Sequence, residues 1–294
     1  MRGLSPFSVR RGLSPFSVRR GLSPFSVRKT GTVPILSTLV LLAAPLSAAD
    51  PPPFLFTDDF ESHATGQLPS APWKEETYKT GAVILVDTVR AFSGKQSLHI
   101  ITPRGAKYRR GYLALHLGKP VPEAQSAMFG RAMVWLDAAP VALAGAPPVH
   151  WTLLQGEGRS ADDRYNSIYR LGVEQRGVTQ LMANFETTPP VTTDCKQQSK
   201  RQLPVRRWAC VEWHFDIAAQ QLEFWLDGKR VTAVTERAAP GACRGNDLAG
   251  EWRAPPRFDS LYIGFERYAD SVNDQDLWID DVVLSKSRVG CSKR

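Results

Sequence analysis

Cysteine is scarce and unevenly placed in this chain of 294 residues: there are four, and none precedes Cys195. No Cys-x-x-Cys pair occurs among them, which argues against zinc and thiol redox chemistry. Glycine patterns of the Walker and dinucleotide kinds are missing, so nucleotide chemistry has no support. A Gly-x-Ser-x-Gly elbow is missing as well, and a Ser-His-Asp hydrolase is poorly supported on that ground. No Glu-x-Asp-x-Glu run is present, the alternating acids that sandwich glucanases usually place on one strand across a scissile glycosidic bond. Acidic residues are absent from the first 49 positions.

Those first positions are unusual in what they do contain. Residues 2–28 repeat Arg-Gly-Leu-Ser-Pro-Phe-Ser-Val-Arg three times in tandem. An apolar stretch at 33–46 and the small residues Ser47-Ala48-Ala49 follow. A basic start, an apolar middle and small residues at the end make Met1–Ala49 a signal peptide, with cleavage expected near Ala49. As a retained membrane anchor the apolar stretch is short against the roughly 20 residues a span needs, and it holds Pro34 and Pro45. Without the leader, Lys plus Arg falls from 37 to 30 against 29 Asp plus Glu, so the net charge drops from +8 to +1. Nothing in a neutral chain without a basic stripe points to nucleic acid, and a secreted or periplasmic monomer with no stable membrane partner is expected.

Export and an even cysteine count point to two disulfides. Three connectivities are open; Cys195 with Cys210 and Cys243 with Cys291 are favoured because each pins a long polar loop to a neighbouring strand. Residues 50–294 are expected to form one domain, since their Pro-rich stretches are short and sit between strand signals.

Period-2 alternation dominates this domain and helical periodicity is scarce. Leu113, Leu115 and Leu117 share a face opposite Tyr112 and His116. Ala132, Val134 and Leu136 oppose Arg131, Met133 and Trp135, and Val211, Trp213 and Phe215 oppose Cys210, Glu212 and His214. Further strands are expected at 82–87, 97–102, 150–155, 167–175, 179–186, 221–226 and 258–266. Asp227-Gly228 reads as a hairpin turn. So many short strands predict an all-β fold, a two-sheet antiparallel jelly-roll sandwich.

One outer face of such a sandwich is expected to form a groove, lined by Arg131, Trp135, Arg170, Glu174, Asn184, Glu186, Glu212, His214, Trp225, Tyr262 and Glu266. Flat rings stack on pyranose faces while Arg, Asn and His bind hydroxyls and carboxylates, so polysaccharide is the expected partner. Arg131, Trp135, Glu212, Trp225 and Tyr262 are its expected substrate-binding members.

Two acidic strand ends frame the domain, Phe56-Thr57-Asp58-Asp59-Phe60-Glu61 and Leu277-Trp278-Ile279-Asp280-Asp281-Val282. Carboxylates inside strand-like runs call for a compensating cation, and Ca²⁺ clasping both ends is the expected one. Together with Ser93-Gly94-Lys95-Gln96-Ser97-Leu98, Trp208-Ala209-Cys210-Val211-Glu212-Trp213 and Phe224-Trp225-Leu226-Asp227-Gly228, these ends resemble the cellulose-induced proteins of cellulolytic fungi and their bacterial relatives. That family is similar in fold to glucuronan and alginate lyases. The resemblance implies a secreted protein of plant-polysaccharide breakdown with a structural calcium held by Glu61, the Ser93 carbonyl, Gln96 and Asp281.

Lyase action on a uronan requires a group that neutralises the C6 carboxylate, a base for the C5 proton and an acid for the leaving O4. Arg170 or Arg131 with Asn184 suit the first role, His150 or His214 the second, and Tyr169 or Tyr262 the third. Tyr169 and Arg170 are adjacent, so a regular strand points them to opposite faces. A non-catalytic carbohydrate-binding protein with the same groove is the alternative reading.

Overall fold

The computed structural model describes residues 54–105, 108–175, 177–189, 193–231, 236–237 and 254–291. The leader assigned to Met1–Ala49 and Cys243 lie outside them. Along the chain run β1 (Phe54–Asp58), β2 (Trp73–Glu76), β3 (Val83–Asp87), β4 (Ser97–Thr102), β5 (Arg109–His116) and β6 (Ala127–Leu136). They are followed by β7 (Val149–Arg159), β8 (Asn166–Gln175), β9 (Thr179–Thr188), β10 (Thr193–Gln202) and β11 (Ala209–Asp216). The last are β12 (Gln221–Leu226), β13 (Lys229–Arg230), β14 (Glu236–Arg237), β15 (Ser260–Arg267) and β16 (Gln275–Ser285).

Two antiparallel sheets form a sandwich, as the alternation predicts. One has nine strands in the order β13-β12-β11-β6-β16-β4-β3, with β1 added on β16 and β14 on β12. The other has seven in the order β10-β9-β8-β7-β15-β5-β2. The inner faces carry the expected residues: Leu113, Leu115, Val134, Val211, Trp213 and Phe215 all belong to one continuous buried cluster. Small residues make room for large ones there. A Cβ on Gly130 of β6 would lie 2.1 Å from the Trp213 ring, so that indole occupies the space a side chain on β6 would take. The hairpin between β12 and β13 turns at Asp227 and Gly228 with φ of 50° and 74°, the left-handed pair that suits the twist of its strands.

Strand β10 is the main element that the sequence pattern misses. Its run Thr-Asp-Cys-Lys-Gln-Gln-Ser-Lys-Arg-Gln has no apolar alternation. It lies at the sheet edge, where charged and amide side chains discourage further pairing.

The favoured disulfides are corrected by the fold. Cys210 pairs with Cys291, 81 residues away. Cys195 is also disulfide-bonded and packs against the central cluster from β10, whereas Cys210 stands on the outer face of β11 in the other sheet. A strand pattern places each cysteine on a face but does not say which sheet that face belongs to, so sequence proximity misled the pairing. We expect a non-reducing peptide map to recover a Cys210–Cys291 peptide. Cys291→Ser is expected to cost about 4 kcal/mol from the loop it opens, read as a lower melting temperature.

Candidate functional site

The outer face of the seven-stranded sheet holds a row running across all its strands that is polar apart from Ala114 on β5. Lys74, Ala114, Tyr262, Gln155, Arg170, Asn184 and Lys196 sit directly opposite one another from β2 to β10. Such a row needs each side chain to share one parity, and a bulge in β7 between Thr152 and Leu154 and another in β15 between Ile263 and Glu266 keep neighbouring rungs in step.

Towards the β10 end of the row, His150, Thr152, Arg170, Met182, Asn184, Glu186, Lys196 and Tyr268 line a cavity of about 200 Å³. The Arg170 guanidinium donates through Nε to Gln155 Oε1 at 2.9 Å and through Nη1 to Glu186. Its plane is therefore fixed before any ligand arrives. The His150 ring stacks on Tyr268 with centroids 4.8 Å apart and planes 19° from parallel. The Tyr268 hydroxyl donates to Glu266 and lies 3.2 Å from Thr152 Oγ1.

Beside the cavity, Glu266 gathers a second set of partners. Its carboxylate accepts from Tyr108 at 2.5 Å, Arg110 at 2.8 Å and Tyr112 at 3.3 Å, as well as from Tyr268. The Arg110 guanidinium also lies over the rings of Tyr78, Tyr112 and Tyr262 at 4.3, 4.9 and 5.2 Å. Burial raises the Glu266 carboxyl, but the charges of Arg170 and Arg110 and the Tyr108 and Tyr268 hydroxyls outweigh it, and the group ends below its ordinary range. Burial likewise pushes the Tyr268 phenol well above its usual value; Arg170 pulls it back and Glu266 adds to the rise. Tyr268 therefore keeps its proton and can donate it. Glu157, which accepts from Gln155 at 2.5 Å, is raised chiefly by burial.

Of the residues expected to act together, His150, Arg170 and Asn184 meet in this cavity, and Tyr262 stands one strand pairing beyond Gln155 in the same row. The others do not. Tyr169 points between the sheets, fully buried among Phe185, Phe215 and Phe258, with its hydroxyl on the Asp216 carbonyl. His214 lies on β11 of the nine-stranded sheet, stacked on Phe129 at 3.9 Å and bonded to Glu223. Arg131, Trp135, Glu212 and Trp225 also lie on the nine-stranded sheet, away from the groove. Parity identified the outward face correctly but could not tell one sheet from the other.

Glu212 and Trp225 are moreover occupied by the chain itself. Arg288 makes a two-pronged contact with the Glu212 carboxylate at 3.1 and 2.8 Å, lies 4.6 Å from the Trp225 ring, and leads to Gly290, whose N–H also reaches Glu212. Trp135 is held between Arg90 at 4.4 Å and Trp208 at 6.0 Å. Tyr268 lies two residues beyond the expected strand 258–266, on the same alternation as Glu266, and continuing that alternation finds it.

The acidic ends also come together. Strand β1 pairs with β16, so the first and last strands lie side by side. Glu61 Oε1 accepts the backbone N–H groups of Lys95 and Gln96 at 2.7 and 2.9 Å, and its side chain fills the space above Gly94, whose φ is +61°. These two bonds hold the Glu61 carboxyl below its ordinary value. The Ser93 hydroxyl donates to Asp281 at 2.6 Å, and the Gln96 amide bridges the carbonyls of Phe60 and His63 while accepting from Thr65. Asp281 has φ of +48° beside a bulge in β16, and its carboxylate reaches the same turn as that of the buried Asp280, which accepts from the N–H groups of Phe92 and Ser93. Glu61, Ser93, Gln96 and Asp281 thus surround one turn with oxygen donors from three segments. A carboxylate has about four acceptor sites, so Glu61 keeps capacity beyond its two N–H bonds, and the set suits a hard divalent cation.

Residues 59–287 match the family described as polysaccharide-lyase-like, Cip1-like core domain. The chain belongs to this family. Among solved structures, it is similar to the cellulose-induced protein Cip1, with a TM-score of 0.56 at 19% identity over 81% of this chain and 100% of that one. It is also similar to an endo-β-1,4-glucuronan lyase from the fungus Trichoderma reesei, with a TM-score of 0.54 at 12% identity over 80% and 96% of the two chains. At such identities these likenesses establish the shared fold. No curated protein matches the sequence.

Opposite charges in the groove make its stability depend on pH in a defined sense. Because the folded-state value of Glu266 is depressed, its contribution is complete above the ordinary value of 4.5 and is lost as pH falls through the folded one. Glu266→Gln is expected to cost about 3 kcal/mol by leaving Arg110 without its counter-charge. Thermal melts from pH 7 down to pH 3 should show a smaller acid-induced drop in the variant than in the native chain.

Proposed function

We propose that the protein is a secreted or periplasmic polysaccharide lyase that cleaves an acidic, uronate-containing chain by β-elimination in the groove of the seven-stranded sheet. The observation that carries this reading is the meeting of a fixed guanidinium, an amide, an imidazole and a protonated phenol in one cavity. Each matches a requirement of the reaction. Arg170 and Asn184 bind the C6 carboxylate and draw charge from C5, the electrostatic part of the work. His150 takes the C5 proton, and Tyr268 returns a proton to the O4 that leaves. Glu266 and Thr152 hold the Tyr268 hydroxyl in place, and Glu186 with Gln155 hold Arg170. The fold shared with a glucuronan lyase is consistent with this assignment.

The native protein incubated with glucuronan, alginate and pectin should generate unsaturated ends, followed by their ultraviolet absorbance. Tyr268→Phe and His150→Ala should each lower that rate by about 100-fold or more. No new ends on any uronan, with retention on insoluble glucan, would instead assign the groove to binding alone.

We further infer that Ca²⁺ joins the chain ends through Glu61, the Ser93 carbonyl, Gln96 and Asp281. A structural ion of this kind stabilises by binding only the folded state. Removing it with EDTA is then expected to lower the melting temperature by about 5 °C or more, with recovery on adding calcium. An identical melt with and without chelator would count against the ion.

A further inference from the structure

A second cavity, of about 500 Å³, lies at the edge of the sandwich where β1 of one sheet is linked to β2 of the other. It shares no lining residue with the groove cavity. Among its walls are Asp58, His63, Ser70 and Arg131. Asp58 Oδ2 lies 2.9 Å from His63 Nε2, and His63 Nδ1 lies 3.0 Å from the Ser70 hydroxyl.

The proton positions on His63 follow from its neighbours. The backbone N–H of Ser70 donates to Nδ1 at 3.1 Å, so Nδ1 carries the lone pair and the ring proton sits on Nε2, donated to Asp58. Asp58 is in turn held by the indole N–H of Trp73 at 2.6 Å and the N–H of Phe60 at 2.8 Å. The side chains of His63 and Asp58 are 6% and 10% exposed, whereas Ser70 is exposed. An accessible hydroxyl, a base in a defined tautomer and a fixed carboxylate behind it form the relay by which serine hydrolases activate their nucleophile. The two ring nitrogens exchange their usual parts, and no Gly-x-Ser-x-Gly elbow is involved. Both the N–H and the hydroxyl of Ser70 address the same lone pair, so the relay is expected to turn over slowly.

Arg131 supplies the remaining element. It is the one Lys or Arg side chain on the wall. A guanidinium there is suited to an oxyanion that forms only during reaction. Asp59 and Asp281 on the same wall disfavour an anionic ligand, and Phe56, Ala71, Pro72 and Val282 provide apolar surface for a small acyl group.

We propose that Ser70, His63 and Asp58 form a hydrolytic site for short acyl esters of neutral alcohols such as sugar hydroxyls. Ser70 Oγ bonds to the acyl carbon as its proton passes to His63 Nδ1. The bond from that carbon to the alcohol oxygen then breaks, and the proton on Nδ1 goes to the departing alcohol. Water attacks the acyl-serine with Nδ1 again taking the proton, which returns to Ser70 as the carboxylic acid leaves.

The test is hydrolysis of p-nitrophenyl acetate by the native chain, joined to labelling with a fluorophosphonate and peptide mass mapping. The expected result is turnover above buffer, a label on Ser70, and at least a tenfold loss in Ser70→Ala with an unchanged melting temperature. Hydrolysis no faster than buffer, equal rates in the native chain and Ser70→Ala, or a label on another residue overturns the proposal. The labelling arm uses the native protein alone and decides the matter even if the variant fails to fold. Uronan elimination measured on the same samples reports on the groove separately.

Discussion

Each sheet of this sandwich has one face it must keep dry and one it is free to use, and that division governs everything else in the molecule. The inner faces meet in a single cluster in which bulky rings such as Trp213 press against glycine, so their identity is dictated by volume. The outer faces carry the chemistry. On the seven-stranded sheet, that chemistry takes the form of a row of polar side chains in which almost every charge is answered by a neighbour, since a half-buried charge left alone is costly. Arg110 and Arg170 are anchored by Glu266 and Glu186, and the tyrosines around Glu266 are held with their protons on. A groove organised in this way meets a ligand with little reordering left to do.

Much of this was legible in the sequence because a strand has a strict period of two. The alternations around Leu113, Val134 and Val211 predicted both the class of fold and the side of each strand that would be buried. They also explained why Tyr169 and Arg170 cannot work on the same surface. What alternation does not encode is which strands become neighbours. His214, Glu212, Trp135 and Trp225 have the parity of groove residues but belong to the other sheet, and the pairing of Cys210 with Cys291 depends on the same unencoded fact. Strand β10 escaped for a different reason: an edge strand gains from being polar, so it lacks the signal by which strands are found.

The acidic ends behaved otherwise. Their carboxylates stood out in the sequence as charges in strand-like surroundings, and in the fold they do meet one turn, 92–96, from both sides. Backbone N–H groups answer part of the charge: Glu61 takes those of Lys95 and Gln96, and Asp280 takes those of Phe92, Ser93 and Asp281. A few residues upstream of Glu61, Asp58 is turned towards His63 and Trp73. One short acidic run thus serves two neighbourhoods, because successive residues after the end of β1 no longer alternate and each carboxylate finds its own partner.

The segment after β16 crosses the outer face of the nine-stranded sheet, fastened by the Arg288–Glu212 contact and the Cys210–Cys291 bond. Cys291 therefore lies on the side of the molecule remote from the groove. Tethered to a solid support on that side, the protein would present the polar row of its seven-stranded sheet to the surrounding liquid.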